Sequence, residues 1–177
     1  MAAQDRARLM MGARLMAALV PLTCGLLGVL FSNLPVTLFG GLVPPPLLSF
    51  IPVYFWCLVR PDLMTPAATF AIGILQDVMS GGPPGIWTLS FVVSYAVIQR
   101  QRDAFAGLAG VAAVLGFATA TLIVCAIAYL ATAALYHLPP LGPIVAELAI
   151  TVLFYIPGAF VVGAIHRRLV GPLRSDF

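Results

Sequence analysis

Lysine is absent from this 177-residue chain, and charge of either sign is scarce. Nine arginines and six acids make up only 8% of the residues, while 62% are hydrophobic. Soluble domains carry roughly 25% charged residues. So little polar surface cannot face water all round, which excludes an ordinary soluble fold and makes a bilayer the natural solvent. One integral membrane domain is the expected unit, with nothing left over for a second, soluble one. The arginines are scattered and form no dense patch, so no nucleic-acid partner is implied.

Cysteine is sparse as well. Cys24, Cys57 and Cys125 stand in separate apolar segments with no CxxC and no ligand-spaced neighbour, which points away from a disulfide framework or metal site. They read as small buried hydrophobes. There is no Walker motif, no HExxH, no pair of intramembrane aspartates and no Ser–His–Asp signature. The two halves show no repeat of the kind inverted-repeat transporters carry. Neither a cofactor nor an enzymatic activity is expected.

What is present is apolar sequence in six segments, at about residues 15–31, 46–59, 63–79, 84–98, 104–136 and 143–165. A bilayer span takes about 20 residues. The first, fifth and sixth are long enough, and the fifth has residues to spare. The second and fourth are short and must tilt little or continue as irregular chain shielded by protein. The basic start followed by an apolar run resembles a signal peptide. It reads as a retained first span, because more membrane segments follow. The expected fold is all-α: a six-transmembrane-helix bundle at 15–166, with cytoplasmic segments at 1–14 and 167–177.

The arginines support that count. Arg6, Arg8 and Arg14 precede the first segment, Arg60 follows the second, Arg100 and Arg102 the fourth, and Arg167, Arg168 and Arg174 the sixth. If six spans alternate, all nine lie on one side, which the positive-inside rule makes cytoplasmic. The opposite connections are short, nearly uncharged and rich in Pro and Gly, as tight turns are.

Buried ionisable groups in a membrane cost about 2.5–3.5 kcal/mol on insertion scales, so the acids inside apolar segments are the first candidates for a role. Asp77 follows Gln76 near the end of the third segment, ahead of the turn Gly81, Gly82, Pro83, Pro84 and Gly85. With no arginine on that side, Asp77 is either protonated or bound by backbone N–H groups. Ser80, Gly81, Gly82 and Gly85 offer donors, and Pro84 suits the first turn of the next helix, whose positive dipole end favours an anion. The structural reading is a staple across a tight turn. The functional one is a ligand or proton site. Glu147 lies one turn into the sixth segment, where acids are favoured. Ala112, Gly116, Ala120 and Ala128 make a small-residue face on the fifth, fit for close packing against a helix of this chain or of a partner. Pro21, Pro52 and Pro157 suggest kinks in the first, second and sixth helices.

The order of these features resembles a known family. "PPPLLSFIPVYFWCLVRPDL" and "FAIGILQDVMSGGPPGIWTLSFVVSYAVIQRQRDAF" are similar to the rod shape-determining protein MreD family. The likeness rests on an aromatic segment (Tyr54, Phe55, Trp56), a G-x-x-x-D helix (Gly73, Asp77), a Gly-Pro turn (Gly82, Pro84, Gly85) and a helix ending in Arg100 and Arg102, about 60 residues in all. Pro83 is an extra proline in that turn. The resemblance implies a non-enzymatic protein of the bacterial inner membrane that binds MreC. Its wider setting would be the elongation complex with MreB, RodA and a class B penicillin-binding protein, where it helps position peptidoglycan synthesis. The family is also similar to the S components of energy-coupling-factor vitamin transporters, which implies the rival reading of a small-molecule or lipid carrier with a cavity near Asp77 and Glu147. Side-specific labelling of the two termini in intact membranes is expected to find both on the cytoplasmic face, and an odd number of crossings would put them on opposite faces.

Overall fold

The computed structural model describes residues 19–34, 44–108, 110–136 and 138–170, and among them every regular element is helical. The helices are α1 Leu19–Ser32, α2 Phe50–Val59, α3 Pro66–Ser80, α4 Ile86–Arg100, α5 Arg102–Ala106, α6 Val111–Leu135 and α7 Leu141–Ile165. α7 ends in a π-helical turn, His166–Val170. Two of them, α6 and α7, are long and apolar enough to cross a bilayer. At 25 residues each they reach about 37 Å, against a hydrocarbon core of about 30 Å. The fifth apolar segment is therefore not one helix. It is divided between α5, which ends at Ala106, and α6, which begins at Val111, and this accounts for its surplus length.

Local chemistry sets the ends of the hairpin α3–α4. Thr65 caps α3 by accepting from the Ala68 N–H, and Pro66 occupies the first helical position, where its missing N–H costs nothing. Gly81 closes α3 in the left-handed region at φ 64°, a conformation glycine adopts without strain. Gly85, at φ 88°, precedes α4. Pro84 thus lies outside α4, two residues before its first turn, rather than in it. Pro52 is the third residue of α2, where no intrahelical bond is lost, so α2 needs no kink. Pro157 does lie inside α7.

α2 is the centre of the molecule. Phe50, Ile51, Val53, Tyr54, Trp56 and Cys57 are all 2% exposed or less, and the helix packs against α4, α5, α6 and α7. A helix that is apolar all round belongs inside a bundle. Its aromatic side chains bind the layers together. Phe50 lies 5.6 Å from Phe91 of α4 and 6.0 Å from Phe117 of α6. Tyr54 meets Phe117 and Tyr155 edge-on, and those two rings stack at 4.2 Å. Such pairs each contribute about 0.5–1.5 kcal/mol beyond their buried area.

The described arginines share one end of this bundle. Arg102 donates to the Leu58 carbonyl at 3.3 and 3.4 Å, and Arg60 pairs with Asp62 at 2.8 Å. That bond holds the Asp62 carboxyl below the usual carboxylate range. The His166 ring, just before Arg167 and Arg168, packs 5.2 Å from Trp56 near the same end of α2. Arg6, Arg8, Arg14 and Arg174 lie outside the described residues.

α3 and α4 approach closely at Gly73. A Cβ there would stand 2.6 Å from the Thr88 Cα, which backbone cannot yield without the helices parting. Gly73→Ala is expected to lower unfolding stability in detergent by roughly 1–3 kcal/mol, read as a fall in the thermal midpoint, while Leu at the exposed neighbour Ala71 leaves it unchanged.

Candidate functional site

Three groups of polar side chains sit in the apolar body. The first surrounds the entrance to α2. Pro44, Pro45 and Pro46 bring the chain inward without N–H groups to satisfy. The next two amides are answered from other helices: Leu47 N–H by the Thr151 hydroxyl of α7 at 2.9 Å, and Leu48 N–H by the Ser32 hydroxyl of α1 at 2.9 Å. The Ser49 hydroxyl donates to the Gln76 side-chain oxygen of α3 at 3.0 Å. Gln76 is therefore an interior link between α2 and α3, and irregular chain enters the core with its backbone bonds made.

The second group is built on Asp77, 8% exposed at the end of α3. One carboxylate oxygen accepts the Trp87 N–H at 2.8 Å. The other accepts the Thr88 N–H at 3.0 Å and the Thr88 hydroxyl. Trp87 and Thr88 are the second and third residues of α4, whose own N-cap, Gly85, has no side chain. Asp77 thus does from a neighbouring helix what an Asp or Ser N-cap does locally, with the helix dipole favouring its charge. The donors are not the turn amides of Ser80, Gly81, Gly82 and Gly85. The α4 N-terminus outcompetes them because its orphan N–H groups point along the helix axis toward α3. Beside Asp77 runs an open groove of about 490 Å³ between α3 and α4, walled by Phe70, Ile74, Val78, Leu89 and Val92.

The third group is Glu147. It lines a pocket of about 140 Å³ with Trp87, Cys125, Thr132 and apolar side chains. Thr132 Oγ1 donates to the Ala128 carbonyl at 2.8 Å, while Glu147 forms no hydrogen bond or ion pair with the described residues. Asp77 and Glu147 therefore belong to separate places, one tied off and one open.

The small-residue face of α6 is occupied by this chain. Gly116, Ala120 and Ala128 are buried, and a Cβ on Gly116 would meet Leu108 at 2.7 Å and the Tyr54 hydroxyl at 2.9 Å. Ala112 is half-buried beside them. At Gly116 the face serves this chain's own packing, with Tyr54 of α2, Phe105 of α5 and Leu108 against it, while Ala128 lines the Glu147 pocket.

Sequence reasoning passed over Ser32, Ser49, Thr88 and Thr151. Isolated hydroxyl residues in apolar helices, at an end as Ser32, Ser49 and Thr88 are or within one as Thr151 is, carry a signal, because their oxygens answer unsatisfied backbone groups, but the signal does not name the amide. Asp77→Ala would strand the Trp87 and Thr88 amides and is expected to cost roughly 2–3 kcal/mol, against about 1 kcal/mol for Thr88→Ala. Faster hydrogen exchange at these two amides in the Asp77 variant is the accompanying local signature. Compared with protein-family models, curated proteins and solved structures, the chain has no match in any of the three.

Proposed function

We propose that this chain is a non-enzymatic, multi-pass scaffold of the bacterial cytoplasmic membrane, with both termini inside. In this reading it resembles MreD proteins in role: it binds MreC and helps position peptidoglycan synthesis within the elongation complex of MreB, RodA and a class B penicillin-binding protein. The observation that carries the reading is the fate of the motif residues. Gly73 sets the closeness of α3 and α4, Asp77 caps α4, and Gly81 and Gly85 take the left-handed conformations of the turn. The polar residues of the motif are thus engaged in making a rigid hairpin, which suits a docking element more than a substrate site.

The hairpin also carries a surface a partner helix can use. Phe70, Ile74, Val78 and Leu89 are 43–72% exposed along the α3–α4 groove. A single transmembrane helix seated there gains close packing, the main source of helix association in lipid. A carrier built on Asp77 is less favoured, since both carboxylate oxygens already accept hydrogen bonds.

The test is co-purification from rod-shaped bacterial membranes in mild detergent. The native chain is expected to recover a single-span protein with a large periplasmic domain. Trp at Val78 and Leu89 together should reduce that recovery at least about tenfold, the size of a 1.4 kcal/mol clash, while Trp at the exposed Leu130 of α6 leaves it intact. Native chain recovering no such partner would overturn the scaffold reading. Equal recovery with all variants would move the docking face elsewhere.

A further inference from the structure

The Glu147 pocket is separate from the proposed docking groove and has its own chemistry. Three helices enclose it: Ile86 and Trp87 from the start of α4, Cys125, Ala128 and Thr132 from α6, and Ile144 and Glu147 from α7, with Pro83 and Pro139 at its edges. Cys125 is 3% exposed and Ala128 6%, so the α6 side of the pocket reaches into the apolar interior. The one ionisable oxygen pair in the lining belongs to Glu147, and no hydrogen-bond donor or cation among the described residues meets it. An acid left unanswered in such surroundings is costly. A structural acid would be answered, as Asp77 is. An indole at the same wall adds a π face that attracts cations.

Size narrows the guest. A cavity of about 150 Å³ admits a benzene-sized molecule, whereas sites for drug-sized ligands begin at roughly 300 Å³. At about 140 Å³ the pocket is too small for a vitamin and fits a compact organic cation. We propose that this pocket binds an alkylammonium group, with Glu147 as counter-ion, Trp87 as the cation–π wall and the apolar residues around the carbon chain. Two sources share that chemistry: a small soluble amine, and the amine of a phosphatidylethanolamine headgroup at the end of the bundle where α6 and α7 turn.

Cys125 reports on the site in the unmodified protein. Its thiol gives its proton to solvent, and the thiolate sulfur attacks the thio sulfur of a methanethiosulfonate, forming a mixed disulfide as the bond to methanesulfinate breaks, with no other reactant. In neutral detergent the aminoethyl reagent should label Cys125 at least about tenfold faster than the anionic sulfonatoethyl reagent, after each rate is normalised to Cys24 by peptide mass spectrometry. Glu147→Gln, nearly isosteric, should bring the two rates together, and Trp87→Phe should reduce the preference about threefold, as loss of part of a cation–π contact does. Butylammonium chloride in phosphatidylglycerol nanodiscs tests the soluble source, and phosphatidylethanolamine added to those discs tests the lipid one. Slower Cys125 labelling in either arm supports the site and identifies its source. Equal rates for the two reagents in the native chain, or no protection by either amine, would overturn it. A failed co-purification in the experiment above leaves this outcome untouched, because the readouts share no component.

Discussion

One carboxylate organises half of this molecule. Asp77 stands at the end of α3 and accepts from the Trp87 and Thr88 amides of α4, so two consecutive helices are joined by hydrogen bonds where the chain between them is only glycine and proline. Everything nearby follows from that contact. The helices must meet closely, which Gly73 permits. The turn must pass through left-handed conformations, which Gly81 and Gly85 supply. The helix that receives the cap can then do without a capping side chain of its own, and its N-cap position is free to be the glycine the turn requires. Burial strengthens the arrangement, since Asp77 is 8% exposed and little water competes for the amides.

The same logic recurs at α2 with neutral groups. A helix of 10 residues is too short to cross a bilayer unaided, and here it has no need to. It is held in the middle of the bundle, entered through three prolines and supplied with hydroxyl acceptors by α1 and α7. Its aromatic side chains then reach α4, α5, α6 and α7 from one axis. Hydroxyls from α1 and α7 thus answer the backbone groups left unsatisfied at the start of α2, and ring packing joins its sides to the neighbouring helices.

Much of this architecture is legible in the sequence, and the reasons for the remainder are physical. Apolar run lengths and Pro-Gly turns locate the helices to within a few residues, because turn chemistry is local. Asp77 attracts notice because a lone acid in an apolar run demands an explanation. Its partners are not legible, since choosing between the turn amides and the α4 amides depends on how two helices are set in space. The division between α5 and α6 is hard to read for a different reason: glycine is common in membrane helices and marks a bend only when neighbours pull the chain aside. The small-residue face on α6 is equally ambiguous, because Gly116 and Ala120 look the same from sequence whether Tyr54 or a foreign helix fills the gap. Glu147 could be read as an acid favoured near a helix start. Only the assembled walls from α4 and α6 reveal that none of the described residues answers it.

The bonds at the entrance to α2 also bear on biogenesis. Thr151 belongs to α7, which is made well after α2, yet it supplies the acceptor for an amide about a hundred residues upstream. Until α7 arrives, the Leu47 amide has no native acceptor, and the central helix cannot settle in its final seat. The α3–α4 hairpin can therefore form early, but closure of the core awaits α7. That helix acts as a latch on one made long before it.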